Sequence, residues 1–205
     1  WFAQSGATYA AEVCPRTAND RKGGHLAVRK ADGRLILRDS AQTADKDQPA
    51  FQDERIHPFF HANNLWLDLA RVRSAMIERG GLLGLPLIRN LKTVDPTDPS
   101  SPKVVQLESA MGAAIEVFAD AQAIAVGRDR FLPVKTTNEL MLLRSDVFAL
   151  GDDGRLTATA AIPLVDLAPT YYRLIDDFES RVRVVPGLRE ASELVVRGDW
   201  IFDAP

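Results

Sequence analysis

The stretch GRDRFLPVKTTNEL, residues 127–140, passes from a loop into a helix at a readable point. Thr136 and Glu139 stand in the Ser/Thr-x-x-Glu arrangement, in which the cap hydroxyl and the carboxylate three residues later satisfy otherwise orphaned backbone N–H groups. Apolar positions continue through Leu140, Leu143, Val147 and Leu150 until Gly151, so the spacing predicts one helix over that span. Lys135 then sits immediately before a helix N-terminus, where unpaired N–H groups and the positive end of the helix dipole favour an anion. Pattern alone leaves two readings of Lys135 open, a phosphate contact and a solvated loop lysine.

Upstream, Ala7 to Val13 alternates as a strand, followed by the polar turn Pro15 to Asp20 and the run Arg21, Lys22, Gly23, Gly24. That Lys-Gly-Gly could cradle an anion, although an isolated Gly-Gly more often serves a turn. HLAVRK and RLILRD flank Ala31-Asp32-Gly33, a hairpin signal. Leu65, Leu69, Val72 and Met76 recur at helical spacing, which predicts a helix capped by Asn64 and stopped at Gly80. LPLIRNL reads as a buried strand, Val94 to Pro102 as an exposed loop, Gln106 to Phe118 as a closely packed helix, and AIAV as a short strand. Downstream, PLVDLA precedes a short helix around Tyr171 to Arg183, and LVVRGDWIF closes the chain. The fold class expected from these elements is α/β with a mixed sheet.

Composition narrows the function. With 25 lysines and arginines against 28 acidic residues, the net charge is −3, and no broad basic field exists to draw in nucleic acid. A single cysteine, Cys14, cannot form an internal disulfide, and there is no long uncharged apolar span, which suits a cytoplasmic protein without membrane partners. The chain opens on Trp1 already close to a strand and reads as a fragment of a longer one. His25, His57 and His61 lack metal-ligand spacing, and no Gly-x-Ser-x-Gly elbow is present. Asn63 and Asn64 offer paired donors and acceptors of the kind that grip sugar hydroxyls. Glu12, among small and apolar residues, reads as an edge residue facing water, the alternative being a carboxylate aimed into a pocket. Trp1, Trp66 and Trp200 read as packing residues and stay outside the candidate site.

Residues 127–140 resemble the segment of eukaryotic-type UDP-glucose pyrophosphorylases that ends in Phe-Leu-Pro-Val-Lys-Thr-Thr. EVCPRTANDRKGGHL, FFHANNLW, LKTVDP, VVQLESAMGAAIEVF and VRGDWIF stand around it in that family's order. The resemblance implies the C-terminal part of a UTP:glucose-1-phosphate uridylyltransferase. Residues 1–190 would form part of a Rossmann-like nucleotidyltransferase domain with a mixed sheet, and residues 191–205 the start of a C-terminal β-structure, a β-helix in many members. It implies that Lys135 contacts the nucleotide phosphates and that an asparagine of the Asn63-Asn64-Leu65-Trp66 motif bonds glucose hydroxyls. Glu12 and Lys22-Gly23-Gly24 match residues placed near the sugar. At His61 relatives usually carry asparagine. The family's Gly-Gly-x-Gly-Thr loop, its lysine and the aspartate that helps hold Mg2+ are expected upstream of Trp1, so this piece alone is expected to be inactive. The implied substrates are UTP and glucose 1-phosphate. The rivals are a uridylyltransferase for another sugar 1-phosphate and a non-catalytic sugar-nucleotide-binding homologue.

Overall fold

The computed structural model describes residues 1–17, 19–20 and 23–204. They pack as two compact units whose boundary in sequence lies between Arg128 and Asp129.

The first unit begins with a helical turn, α1 (Phe2–Ser5), and the strand β1 (Tyr9–Pro15). The hairpin expected around Asp32-Gly33 forms from β2 (Gly24–Val28) and β3 (Leu35–Asp39), with Gly33 in the left-handed region at φ 71°. A short helix, α2 (Gln48–Gln52), precedes β4 (Phe59–Leu67), α3 (Leu69–Glu78), the strands β5 (Leu87–Thr93) and β6 (Lys103–Ser109), a 3-10 segment Met111–Val117, and β7 (Gln122–Ala125). β1 lies at the centre of a three-stranded sheet, antiparallel to β4 on one side and parallel to β7 on the other. The sheet is therefore mixed, as the sequence predicts. Tyr9 and Ala11 face a core shared with Ala114, Ile115 and Phe118. The Tyr9 ring stacks on Phe118 at 6.0 Å, and its hydroxyl donates to the Met111 carbonyl.

Three expectations for this unit are corrected. Asn64 caps no helix. It lies within β4, because pairing with β1 extends Phe59–Leu67, and the cap falls to Asp68, whose carboxylate accepts from the N–H groups of Ala70 and Arg71. Gly80, with φ 71°, does follow the end of α3 as expected. LPLIRNL forms a strand, yet only Ile88 of β5 is buried, since among the described residues β5 pairs with β6 alone. The predicted helix over 106–118 divides into β6 and the 3-10 segment, and only the small-residue half, Gly112 to Ile115, is buried.

In the second unit, α4 (Thr137–Arg144) is followed by the hairpin β8 (Phe148–Leu150) and β9 (Leu156–Ala158), then β10 (Leu164–Leu167), α5 (Pro169–Tyr172), α6 (Ile175–Arg181) and β11 (Glu193–Val196), with β10 and β11 parallel. The helix starts where the capping pattern puts it but ends at Arg144 rather than near Gly151. Ser145 is extended and buried, its hydroxyl donates to the Leu142 carbonyl, and Phe148–Leu150 pairs as a strand. Val147 is buried with Met141, Leu167, Tyr172 and Phe178, so its apolar character serves the core without helical geometry. Among the described residues no helix is long and apolar enough to cross a membrane.

Candidate functional site

Glu12 is the centre of the site, and the expectation that it faces water at an edge is overturned. β1 has neighbours on both sides, and Glu12 is 2% exposed. A carboxylate removed from water in this way is costly unless donors compensate it. Two donors do so. Asn64 Nδ2 donates to Glu12 Oε2 at 3.1 Å, and Trp66 Nε1 donates to Oε1 at 3.0 Å.

Strand register explains how these groups meet. Val13 is paired with His61 and Ala11 with Leu65, so a single residue of β1, Glu12, faces three of β4, Ala62, Asn63 and Asn64. β4 therefore bulges opposite Glu12. Asn63 carries the bulge with φ 58°, the only positive φ of a non-glycine residue among those described. Bulges re-aim side chains, and asparagine tolerates the left-handed region better than most residues do. Beyond the bulge, Trp66 pairs with Ala10. Ala10 and Glu12 share a face of β1, so Trp66 is a diagonal neighbour of the carboxylate, while Asn64 and Trp66 share a face of β4. Asn63 and Asn64 are both exposed. Each carboxylate oxygen is thus oriented by a donor from β4, beside the amide side chains of Asn63 and Asn64.

Of the two glycines, Gly23 (φ 116°) donates its N–H to Ser40 Oγ and accepts from Ser40 N. Gly24 is buried against β3, where a Cβ would stand 2.8 Å from the Arg38 carbonyl oxygen. Close approach of β3 thus accounts for Gly24. Lys22 lies outside the described residues. The turn after β1 is held by Arg16, which donates to the carbonyls of Asp20 and Phe51, and by Asp20, which accepts from Thr17 and pairs with Arg128 at 2.8 Å. His61 is buried on β4. Its Nε2 has no hydrogen-bond partner, and its Cε1 lies 3.0 Å from where a Cβ on Gly112 would be. Burial pushes the His61 pKa down to about 4, against an opposing pull from Asp39.

In the second unit the capping box forms as read from the sequence. Glu139 Oε2 accepts from the N–H and hydroxyl of Thr136, and Thr136 Oγ1 accepts from Asn138 N. Thr137 donates to the Tyr172 carbonyl and Asn138 Oδ1 accepts from Leu167 N, so the first turn of α4 is tied to both α5 and β10. Lys135 is exposed and stands one residue before the cap Thr136. The two donors that hold Glu12 were partly legible. Asn63 and Asn64 together read as sugar-gripping amides, and Asn64 is the one that reaches Glu12, whereas Trp66, which reads as packing, is 44% exposed and donates its N–H to Glu12.

The family described as "UTP--glucose-1-phosphate uridylyltransferase" matches residues 1–205. A UTP--glucose-1-phosphate uridylyltransferase of Pyrus pyrifolia is 36% identical over 201 residues, covering 96% of this chain and 40% of the relative. The Saccharomyces cerevisiae enzyme of the same name is 34% identical over 200 residues, with 96% and 39% covered. Among solved structures, the Trypanosoma brucei UDP-glucose phosphorylase superposes with a TM-score of 0.90 at 43% identity, covering 96% of this chain and 45% of that one. A single-substitution variant of Leishmania major UDP-glucose pyrophosphorylase in complex with UDP-glucose gives 0.84 at 44% identity, with 96% and 44% covered. The chain spans about 40% of the length of the relatives it matches. With its whole length matched, the chain belongs to the UTP--glucose-1-phosphate uridylyltransferase family.

Proposed function

We propose that the full-length gene product makes UDP-glucose and pyrophosphate from UTP and glucose 1-phosphate in the cytoplasm, and that this chain supplies the sugar-facing groups and one phosphate-facing lysine. The observation that carries the reading is the buried Glu12 carboxylate held by Asn64 and Trp66 at the β4 bulge. It is an oriented acceptor of the kind that sugar hydroxyls need. The names of the relatives, and the UDP-glucose in the Leishmania major complex, support the same substrate class. In this reading the three-stranded sheet is one part of a larger Rossmann-like sheet in a catalytic domain extending to residue 190. Residues 191–205 open a C-terminal β-structure that leads into a β-helix.

In the proposed reaction a phosphate oxygen of glucose 1-phosphate attacks the α-phosphorus of UTP in line, the bond to the bridging oxygen breaks, and pyrophosphate leaves with that electron pair. No covalent enzyme intermediate is required. Glu12 and Asn64 orient the sugar through its hydroxyls, and Asn63 extends the same polar rim. Lys22, Gly23 and Gly24 are assigned to the same sugar pocket by the family resemblance. Lys135 neutralises charge that accumulates on the phosphates in the transition state. Mg2+ would add charge neutralisation of the same kind. Among the described residues no group of three or more His, Cys, Asp or Glu could hold a metal ion.

Pyrophosphate release from UTP and glucose 1-phosphate, measured on the full-length gene product, tests the proposal. Lys135→Ala is expected to remove about 2 to 4 kcal/mol of transition-state stabilisation. A loss below about tenfold, about 1.4 kcal/mol, counts against the role given to Lys135. Galactose 1-phosphate or an N-acetylhexosamine 1-phosphate outcompeting glucose 1-phosphate would transfer the assignment to another sugar. Absence of release with any of them, from folded protein, would favour a binding homologue.

A further inference from the structure

We infer that Trp66 is a positioning residue for Glu12. Its indole N–H fixes one carboxylate oxygen while Asn64 fixes the other, so the pair sets the direction in which the acid meets a sugar. The role in ligand binding rests on the proposed function. The geometry does not.

Packing alone does not account for Trp66. Its side chain is 44% exposed, and its ring neighbour is Phe2, tilted by 42° at 6.0 Å. The polar end is the part that is well used: Nε1 reaches Glu12 Oε1 at 3.0 Å, and Glu12 is 2% exposed. A hydrogen bond to a charged acceptor in such surroundings is stronger than one between neutral groups. The two donors also have different footing. Asn64 stands directly after the left-handed Asn63, inside the bulge, whereas Trp66 pairs with Ala10 where the ladder is regular again. The indole therefore supplies a donor on regular backbone, and its loss removes that hydrogen bond from Oε1. Without that bond the carboxylate is set less firmly about its terminal torsion, which is broad for an sp3–sp2 bond. Hydroxyl recognition loses its fixed angle.

The test uses the full-length gene product with Trp66→Phe, Glu12→Gln and both changes together. Phenylalanine keeps an aromatic ring and removes the N–H. Trp66→Phe is expected to weaken binding of UDP-glucose about tenfold and leave UDP binding unchanged, the scale of one charge-assisted hydrogen bond. In the Glu12→Gln background the same change is expected to cost less than about twofold, because coupled residues are not additive. Equal loss for UDP and UDP-glucose, or a full tenfold loss in the Glu12→Gln background, overturns the inference. A readout independent of sugar binding is the Trp66 indole N–H resonance in the unsubstituted protein, which should move as Glu12 is protonated. If neither nucleotide binds, the proposed function falls, while this resonance still decides the positioning. An indole signal indifferent to pH and to Glu12→Gln overturns it.

Discussion

Lowering the pH from 7.5 to 5.0 should destabilise the first unit through two buried imidazoles. His25 is 1% exposed, and its Nδ1 has no hydrogen-bond partner. It is pressed between Phe51 at 4.4 Å and His57 at 3.9 Å. Burial, followed by the nearby charges of His57, Arg38 and Arg16, pushes its pKa down to about 3, and burial pushes that of His61 to about 4. In the unfolded chain both return to about 6.5. The folded pKa lies below the unfolded one, so the unfolded state binds more protons throughout the interval between them. Stability is undiminished above about pH 6.5 and falls as the pH drops toward the folded values. At pH 5.0 the gap of about 1.5 units amounts to about 2 kcal/mol for each histidine, about 4 for both, out of the roughly 5–15 that a domain possesses. Asp32 and Asp53, with pKa values lowered to about 2 by their arginine partners, remain ionised at pH 5.0 and do not contribute in this window. Urea unfolding at both pH values, compared between the unsubstituted protein and His25→Phe, reports on His25 and on the His57 ring stacked against it, whose pKa burial also lowers. The variant should lose about 2 kcal/mol less on acidification. An identical loss, or a His25 imidazole that titrates near pH 6.5 by NMR, refutes the reasoning.

Three further outcomes can be checked with the same unfolding measurements. Gly112→Ala places a Cβ 2.8 Å from Leu37 Cδ2 and 3.0 Å from His61 Cε1, and should cost about 1–3 kcal/mol as an overpacked site. Unchanged stability would mean that Leu37 and His61 yield freely. Asn63→Val puts a β-branched residue at φ 58° and should cost about 1–3 kcal/mol, whereas Asn63→Gly should be close to neutral. Equal effects of the two would remove the bulge argument. Leu87, Leu91, Val105 and Leu107 share one face of the β5–β6 hairpin and are each about half exposed or more, so Leu91→Lys should raise solubility while altering stability by less than about 0.5 kcal/mol.

What could be read in advance had local causes. The capping box at Thr136, the turn at Gly33 and the stop at Gly80 depend on residues within a few positions of one another, and all three form. What failed depended on distant pairing. Asn64 followed by helically spaced leucines resembles a cap, but β1, more than fifty residues upstream, recruits that segment as a strand. Asp68 then starts the helix with a signal just as readable. The second helix was overextended for the mirror-image reason. Val147 and Leu150 fit a period of 3.6, yet Val147 is buried after an extended Ser145 and Leu150 lies on a strand, so matching a period did not require helical backbone.

The reading of Glu12 turns on which face of a strand a residue shares. Along β1 the two faces differ in kind: Tyr9, Ala11 and Val13 alternate with Ala10, Glu12 and Cys14. The first set is apolar and supplies Tyr9 and Ala11 to the core. On the second, an acid stands between two small residues, and all three are buried. An acid on a solvated edge strand has no need of small neighbours. One that must admit an asparagine and an indole to its two oxygens does, because both donors come from the adjoining strand on that same face. The small residues on either side of Glu12 were thus a legible sign that something large approaches it. What the sequence could not supply was the register that makes the visitors Asn64 and Trp66, since that depends on a bulge in β4 whose cause is the left-handed Asn63.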